Sequence, residues 1–600
     1  MPERNDREMI KNRQVPKPDA VVQGMHDAHG LNFFETDPNV EFLLRNYVPK
    51  DEYERVLPLL SKLGEVAGNE VDELAHEADR NPPELVSYDK KGEQVNHVKY
   101  HPSYLRLEEI GYGEFGLAAM SHRPGVMDWP TPFSRVLKYS FWYLFAQAEF
   151  SLCCPMSMTD SAATILEKYA TDEIKEKYLP RLTSTDMDEL WTAGQFMTEK
   201  QGGSDVGANT VTAKQVGDHW EIWGDKWFCS NVSADIALVL ARPEGAQQGS
   251  KGLAMFLVPK RLDNGEHNGY RINRLKDKLG TKDMASGEVT FEGAVGYAVG
   301  SIENGFKQMM SMVNSSRLSN AVRSAGLMRR SYLESIVAAR GRLAFGQQLS
   351  QLPLMQEGLF EMLLDTEAAA SMIFYTANVF DHSDNDDSDS KKLLRILTPL
   401  LKGYICKRAR YVTAEAMEIR GGNGYIEDWV NPRLVRDAQL GSIWEGTTNI
   451  VALDVLRAIR KDDAGTTLLH HLEQRLSRMS NPYTERAAKL ILKRASVISR
   501  QMEQISQKQT SIHDVAAKRF MEQMYHLNAA SLLLEEADHE IANDGNNRKL
   551  FLFIHYYHRY LKAADDPIMF DTSVIEWLDA VIDWEEIPTD VVEKLLEALD

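Results

Sequence analysis

Hydrophobic residues spaced three and four positions apart predict helices over most of the first 190 residues. The segments that carry this spacing are VEFLLRNYV, DEYERVLPLLSKLGEVAGNEVDELAHEA and FSRVLKYSFWYLFAQAEF. Such spacing places the apolar side chains on one face of each helix, where they can pack against a neighbouring helix. The pattern therefore predicts an N-terminal helical domain over residues 1–190.

Between residues 191 and 300 the period of the pattern changes to that of short strands. The segments are VTAKQV, HWEIW, KWFCS, IALVLA, LAMFLVP and GEVTFEG. Two Gly-Asp pairs, Gly217–Asp218 and Gly224–Asp225, predict tight turns between the first three of them. We therefore predict a middle β domain over residues 191–300.

Helical patterns return over residues 301–460, in FKQMMSMV, AAASMIFYTANVF and LLKGYICKRARYVTAEAMEI. After the break KDDAGTT, residues 461–600 are helical in pattern again, with AASLLLEEA and FLFIHYYHRYLKAA. We predict a C-terminal helical domain over 301–460 and an appended helical domain over 461–600. The fold class is therefore mainly α with an inserted β domain, or α+β.

Composition and charge narrow the class of protein. The chain has 600 residues, with 68 Lys and Arg against 88 Asp and Glu and a net charge of −20, which argues against a general nucleic-acid or membrane-surface binder. Its four cysteines form no CxxC pattern, which favours a reducing compartment. The first fourteen residues resemble neither a secretory signal nor a transit peptide. We predict a cytoplasmic protein with no membrane partner.

Three motifs resemble known cofactor- or metal-binding motifs, but the residues around them do not fit those sites. Gly111–Gly116 matches GxGxxG, yet the segment before it is helical and charged, whereas a dinucleotide-binding turn follows a strand. The Glu73–His76 and Glu536–His539 pairs are interpreted as solvated helix faces. The acidic run 381–389 lacks the Gly and Glu of a calcium-binding EF-hand loop. We predict no metal site.

Five other segments, in their order along the chain, carry the functional signal. They are FMTEKQGGSD at 196–205, KWFCSN at 226–231, RLAFG at 342–346, RGGNGY at 420–425 and SIWEGTTNI at 442–450. Together they closely resemble the acyl-CoA dehydrogenase flavoprotein family, and most of all its AidB-like branch, over roughly residues 40–460. The resemblance implies an N-terminal helical domain, a middle β-barrel or β-sandwich domain and a C-terminal four-helix domain. It also implies FAD between the last two, often across a subunit interface.

The resemblance assigns a set of residues to FAD. Thr198 and Ser204 flank a Gly-Gly turn, where hydroxyl and N–H donors can approach the cofactor closely. Phe228 is expected to stack on the flavin and Ser230 to hydrogen-bond its N5, at positions where the family commonly has Trp and Thr. Arg342 is expected to reach the diphosphate of a neighbouring subunit's FAD. The full set is Met197, Thr198, Gly203, Ser204, Phe228, Ser230, Arg342, Phe345, Gly421, Gly422, Thr447 and Asn449.

Each of these segments also has a purely structural interpretation. FMTEKQGGSD could be a polar turn after a strand, and KWFCSN could be sheet core. Arg342 could be a surface arginine, and the Gly421–Gly422 pair could simply end a helix.

Glu445 is the residue that the resemblance makes the catalytic base. It lies between Trp444 and Gly446, just before a helix whose expected N-cap is Thr447 or Thr448 and whose core-facing residues are expected to be Ile450, Leu453 and Leu456. A helix-capping acid is the structural alternative. Some family members carry the base near the position of Arg317, and Ser316–Arg317 offers no carboxylate, which supports Glu445. The expected substrate-binding residues are Ser204, Arg317, Trp444 and Gly446.

The reaction implied by the resemblance is α,β-dehydrogenation of an acyl-CoA to the trans-2-enoyl-CoA. Electrons would pass to electron transfer flavoprotein, and the protein would be a homo-oligomer, either a tetramer or a dimer. The sequence leaves the acyl chain length open.

The alternative function is that of an AidB-like flavoprotein that binds and protects DNA. Residues 475–519 contain 10 basic and 3 acidic residues, but residues 520–600 contain 5 basic and 18 acidic ones. The basic stretch is interpreted as a solvated helix face or a subunit interface. The charge pattern therefore favours the enzyme and predicts no nucleic-acid partner.

Overall fold

The computed structural model describes residues 25–384, 387–507, 511–562 and 573–597. The prediction that the first fourteen residues are not a leader peptide lies outside the described residues, and so does the middle of the acidic run, at residues 385–386.

Helices dominate the described residues, as predicted. They are α1 (Pro38–Tyr47), α2 (Lys50–Val66), α3 (Asp72–Arg80), α4 (Pro102–Glu108), α5 (Arg135–Ala148), α6 (Cys153–Tyr169), α7 (Asp172–Leu182), α8 (Gly305–Gly341), α9 (Pro353–Asp384), α10 (Ser388–Arg420), α11 (Asn431–Gly441), α12 (Thr448–Asp462), α13 (Ala464–Leu476), α14 (Pro482–Gln507), α15 (Ser511–Asp544), α16 (Arg548–Tyr560), α17 (Ser573–Ile582) and α18 (Thr589–Glu597).

Strands lie mostly in the predicted middle region. They are β1 (Glu84–Tyr88), β2 (Gln94–Lys99), β3 (Ala193–Phe196), β4 (Thr212–Val216), β5 (His219–Ser230), β6 (Ile236–Pro243), β7 (Ala254–Pro259), β8 (Tyr270–Leu275), β9 (Ser286–Ala298), β10 (Leu343–Ala344) and β11 (Gln347–Gln348). The predicted fold class, mainly α with an inserted β domain, is confirmed.

The chain forms two compact units. Among the described residues, unit 1 comprises those up to Gly68, Arg135–Gln147 and those from Asn320 onward, whereas unit 2 comprises Asn69–Ser134 and Ala148–Ser319. The described residues after position 460 thus belong to the same unit as the helices that precede them from position 320.

Unit 2 is built around one sheet. Strand β4 pairs with β5, β5 with β9, β9 with β7, β7 with β6 and β6 with β4, so that the pairings form a closed ring. Strands β3 and β8 extend it by pairing with β6 and β9. Its interior is filled by alternating inward side chains, among them Ile222, Val239, Phe256 and Val289. This ring positions the loop and strand end that carry the candidate cofactor residues of unit 2.

One local prediction in unit 2 is wrong. Gly224–Asp225 is not a turn, because β5 runs through it and pairs with β9 on both sides of a register shift between Ile222 and Trp223. Gly224 has φ +122°, a conformation that favours glycine, and the extra residue at the register shift is Gly293 of β9. The predicted N-terminal helical domain also contains the β1–β2 hairpin.

Unit 1 packs α9, α10, α12 and α15 against one another. A buried ion cluster lies within it: the Arg548 guanidinium and the Lys549 ammonium contact the Glu367 carboxylate at 2.5 Å and 3.0 Å. Lys549 also pairs with Glu536 at 2.7 Å. Glu536 is buried, so the prediction that its Glu-x-x-His pair forms a solvated face is wrong for this residue. The cluster joins α16 to α9 and α15.

Three further observations concern membrane spans, metal ligands and the GxGxxG segment in the described part of the chain. None of the described helices has the length and apolar character needed to cross a bilayer. Within the same ranges no group of three metal-ligating side chains occurs. The GxGxxG segment follows α4 and begins in a π-helical turn, Glu109–Glu114, so no strand precedes it.

Candidate active site

The loop that follows β3 in unit 2 contains the first group of predicted residues. Met197 and Thr198 are half-buried, whereas Gly203 and Ser204 are exposed. A side-chain carbon on Gly203 would come within 2.7 Å of the Thr198 hydroxyl, and Gly202 has φ +115°. The close turn thus requires both glycines, and it keeps the Thr198 hydroxyl beside an open backbone.

A buried ion pair joins this loop to β5. The Lys226 ammonium lies 2.8 Å from the Glu199 carboxylate and also donates to the Met197 carbonyl at 3.2 Å. Glu199 accepts further hydrogen bonds from the Thr210 N–H and hydroxyl and from the Val211 N–H. Burial raises the pKa of Glu199, but the Lys226 charge and these donors outweigh burial and lower it. The carboxylate is therefore ionised and fixes the loop.

The end of β5 carries Phe228 and Ser230. Phe228 is 54% exposed, and the Trp227 N–H next to it donates to the Thr198 carbonyl at 2.8 Å. The loop and the strand end are thus held together by a backbone hydrogen bond as well as by the ion pair. The Lys276 ammonium lies 4.8 Å from the Phe228 ring centre and 2.5 Å from the Glu288 carboxylate. An exposed aromatic face with a fixed cation beside it results, so KWFCSN is not simply sheet core.

Arg342 in unit 1 directly follows α8 and begins the β10–β11 hairpin. The two residues at its tip, Phe345 and Gly346, have φ of +53° and +82°, as a type I′ turn requires. Phe345 is 92% exposed. A bulky residue in the left-handed region is strained, and packing in the core of unit 1 does not explain a phenylalanine at this exposed tip. A contact outside that core would explain it.

The Arg342 side chain lies beside Gly421, where α10 ends. A side-chain carbon built on Gly421 would lie 3.4 Å from Arg342 Nη1, and Gly421 has φ +71°. In the described part of the chain, no acceptor pairs with the Arg342 guanidinium. Arg420, by contrast, is buried and bonded to Glu334 and Asn431, so it holds the end of α10 in place. The unpaired Arg342 guanidinium therefore lies beside the Gly421 backbone, in a space that a side chain at position 421 would partly fill.

Glu445 lies in the loop between α11 and α12, half-buried and with φ +55°. The next residue, Gly446, has φ +96°, and its carbonyl accepts a hydrogen bond from the Lys402 ammonium. The buried Arg323 guanidinium lies 4.7 Å from the ring centre of Trp444. Thr447 occupies the N-cap position of α12, where its side chain makes no capping hydrogen bond.

Helix α12 buries a different face from the one predicted. Leu456 is buried as expected, but Ile450 is half-buried and Leu453 is 37% exposed. The core contacts come instead from Val451, Val455 and Ile459, because the loop sets the rotation of the helix.

The predicted residues divide between the two units. Unit 2 contains Arg317 and the FAD residues from Met197 to Ser230, whereas unit 1 contains Arg342, Phe345, Gly421, Gly422 and the loop residues Trp444 to Asn449. Arg317 is buried on α8 and donates to Asn314 at 3.3 Å. Asn449 and Thr447 are exposed.

Comparison with known proteins decides the family. Family models match in chain order: Adaptive response protein AidB N-terminal domain over residues 25–189, Acyl-CoA dehydrogenase, middle domain over 194–294, and Acyl-CoA dehydrogenase, C-terminal domain over 303–460. Acyl-CoA dehydrogenase family member 11 of Caenorhabditis elegans is 37% identical over 437 residues, covering 71% of this chain and 70% of its own. The chain belongs to the acyl-CoA dehydrogenase family.

A second relative supports the AidB-like branch, and a solved structure supports the fold. Putative acyl-CoA dehydrogenase AidB of Escherichia coli K12 is 36% identical over 417 residues, covering 67% of this chain and 74% of its own. The crystal structure of Caenorhabditis elegans ACDH-11, a complex with C11-CoA, superposes with a TM-score of 0.83 at 30% identity, covering 94% of this chain and 97% of that one. Members of the family are oxidoreductases. The resemblance inferred from the five segments is confirmed.

Several residues of the site were not predicted from the sequence. Glu199 and Lys226 lie inside two of the quoted segments, and the signal was available: Lys226 lies on the strand face of buried Ile222, where a lysine needs a carboxylate partner. Gly424 was also missed: packing requires a glycine at this position, because a side-chain carbon there would lie 2.2 Å from the Met417 carbonyl oxygen. Nothing in the sequence pattern pointed to Lys402, because its partner Gly446 lies 44 residues later in the chain.

Proposed function

We propose that this protein is an FAD-dependent acyl-CoA dehydrogenase that removes hydrogen from the α and β carbons of an acyl-CoA thioester. The observation that carries the proposal is the loop of unit 1 in which Glu445, a carboxylate in a left-handed conformation, lies between Trp444 and a Gly446 whose carbonyl is held by a buried ammonium. Family membership and the C11-CoA complex of the ACDH-11 relative support the acyl-CoA class.

The residues present fit FAD in both units. In unit 2, the exposed Phe228 ring and the Thr198–Ser204 turn offer an aromatic face and hydroxyl and N–H donors. In unit 1, the Arg342 guanidinium beside Gly421 is the donor set that a diphosphate requires, since a planar guanidinium can pair with two phosphate oxygens. Met197, Gly203, Ser230, Phe345, Gly422, Thr447 and Asn449 are proposed to complete the cofactor contacts.

Two hydrogens leave the substrate, one as a hydride and one as a proton, and a residue of this chain accepts the proton. When bound, FAD supplies the acceptor for the hydride that leaves the β carbon. Glu445 accepts the proton from the α carbon, so its carboxylate becomes a neutral acid and the charges balance. Ser204, Arg317, Trp444 and Gly446 are proposed to position the thioester. Electron transfer flavoprotein is the proposed electron acceptor.

Product analysis tests the proposed reaction. The purified protein is incubated with a panel of saturated straight-chain and branched acyl-CoAs and an artificial electron acceptor. We expect one class to yield a product lighter by two hydrogens that co-elutes with the trans-2-enoyl-CoA. The absence of an enoyl product from every member of the panel, with FAD bound, would refute the proposal.

Replacing Arg342 with Ala should lower FAD retention more than it lowers the unfolding temperature of the apo-protein. The side chain is exposed and unpaired within the described residues, so its loss removes a phosphate partner and little packing. The measurement is FAD content after gel filtration, alongside thermal unfolding of the apo-protein. Arg478→Ala, an exposed arginine after α13, is the matched control and should retain FAD as the wild type does.

Subunit assembly is expected to accompany FAD binding, because Arg342 is proposed to serve the cofactor of a neighbouring subunit. We expect a tetramer or a dimer by light scattering. A monodisperse monomer with a full complement of FAD would contradict this role of Arg342.

Duplex DNA of arbitrary sequence should bind no tighter than about 10⁻⁴ to 10⁻⁶ M at physiological salt. Arg475, the first cation of the basic stretch, is buried and bonded to Asn528 and Ser531 at 2.8 Å and 3.0 Å, so it does not face solvent. The acidic residues of 520–600 repel phosphates as well. Fluorescence anisotropy of a labelled duplex at two salt concentrations measures this.

Nanomolar duplex binding with a steep salt dependence would favour the DNA-protection function instead. In that case, binding should be abolished by changing the exposed Arg478 and Lys493 and the half-buried Arg494 to Glu.

A further inference from the structure

We infer that Lys402 is a positioning residue for Glu445: its ammonium holds the Gly446 carbonyl and thereby keeps the loop 442–447 in the conformation that presents the base. The inference deepens the proposed function and rests on it for the role of Glu445. The contact itself lies wholly within unit 1, between α10 and the loop that precedes α12.

The loop conformation is one that the backbone does not adopt without support. Glu445 has φ +55° and Gly446 has φ +96°, so two successive residues lie in the positive-φ region. Glycine tolerates this, but for Glu445 the left-handed region is strained, because its Cβ comes too close to the following carbonyl oxygen. Strained residues of this kind persist only where the surrounding structure holds them, and they concentrate at functional sites.

Buried groups from two helices provide that support. At the start of the loop, the Asn320 side-chain amide of α8 donates to the Gly441 carbonyl at 2.9 Å, and Arg323 stacks on Trp444. At its end, Lys402 of α10 donates to Gly446; only 1% of Lys402 is exposed. A hydrogen bond from a charged donor in a dry interior is stronger than one between neutral groups. Of the two hydrogen bonds, that of Lys402 lies nearer in sequence to Glu445 than that of Asn320.

The position of the contact indicates what its loss would do. Without the ammonium, the Gly446 carbonyl can rotate, and the peptide chain on the other side of it carries Glu445. A general base must lie within hydrogen-bonding distance of the proton that it removes, and a displacement of about 1 Å can cost about 10²-fold in rate. Lys402 would therefore affect catalysis through Glu445 rather than by contact with the substrate.

Hydrogen–deuterium exchange tests the holding role without any assay of activity. Lys402→Met removes the ammonium and keeps the bulk of the stem, and Lys407→Met, an exposed lysine on the same helix, is the control. We expect amides of the peptide covering 441–450 to exchange about tenfold faster in Lys402→Met and at the wild-type rate in Lys407→Met. Unchanged exchange in Lys402→Met would overturn the inference, whatever the substrate is. If Lys402→Met does not fold, Lys402→Gln serves in the same comparison.

A double-mutant comparison tests the coupling to Glu445. Lys402→Met should lower the maximal rate of flavin reduction about 10²-fold, with the half-saturating acyl-CoA concentration unchanged. Lys402→Arg, which keeps the charge, should recover part of the rate. In the Glu445→Gln background, Lys402→Met should add less than about twofold, because the group through which it acts is already absent. A full 10²-fold loss in that background would overturn the inference.

The two experiments distinguish a failure of the proposed function from a failure of the proposed role of Lys402. If no acyl-CoA reduces the wild-type flavin, the proposed function is wrong, and the exchange measurement still decides whether Lys402 holds the loop.

Discussion

Glu445→Gln should lower the rate at which an acyl-CoA reduces the bound flavin by at least about 10²-fold, the scale of losing a general base. The substitution keeps the size of the side chain but removes the group that accepts the α-proton. FAD content and fold should be unchanged, because Gln can occupy the same loop between Trp444 and Gly446. Stopped-flow absorbance under anaerobic conditions measures the rate.

Glu473→Gln is the matched control, since Glu473 is an exposed carboxylate on α13. It should react at the wild-type rate. If Glu445→Gln also keeps a rate near that of the wild type, another residue is the base.

Glu367→Gln should lower the free energy of unfolding of unit 1 by about 3–5 kcal/mol, the cost of removing one partner from a buried ion pair. Arg548 and Lys549 are both fully buried and lie 2.5 Å and 3.0 Å from the Glu367 carboxylate. In the Gln variant, the charges of Arg548 and Lys549 stay buried without the Glu367 carboxylate, although Lys549 still pairs with Glu536. Urea unfolding measures the change, and Glu357→Gln, an exposed residue on the same helix, should have little effect.

The pH dependence of that difference follows from the pKa of Glu367. Burial raises this pKa, but the charges of Arg548 and Lys549 outweigh burial and lower it to about 2. Because the pKa is lower in the folded state, the carboxylate stabilises the fold above about pH 4.5, and this contribution is lost as the pH falls toward about 2. The gap between wild type and Glu367→Gln should therefore shrink below about pH 4.5. A gap that is constant from neutral pH down to pH 3 would contradict the assignment.

Periodicity predicted the order of helical and β regions, because those patterns depend on neighbours within a few residues. It could not distinguish a turn from a continuous strand at Gly224–Asp225, because only pairing with β9, some 65 residues later, keeps β5 continuous. Glu536 was misjudged for the same reason, since its partner Lys549 arrives from a different helix. Long-range contacts therefore decide what local patterns leave open.

The candidate site shows the same limit. The five segments supplied the residues to which the resemblance assigns roles, because such roles are tied to short motifs. The residues that hold the motifs in place were missed where their partners are distant in sequence: Lys226 reaches Glu199 across 27 residues, and Lys402 reaches Gly446 across 44. Arg420 lies inside one of the five segments, and only its buried contact with Glu334 shows that it is structural.

The most direct test of the account is anaerobic mixing of the purified protein with saturated acyl-CoAs while the visible absorbance of the flavin is followed. The account predicts a yellow protein with non-covalent FAD that bleaches with one class of saturated acyl-CoA. A protein that cannot be reconstituted with FAD, or a bound flavin that no acyl-CoA reduces, would contradict it.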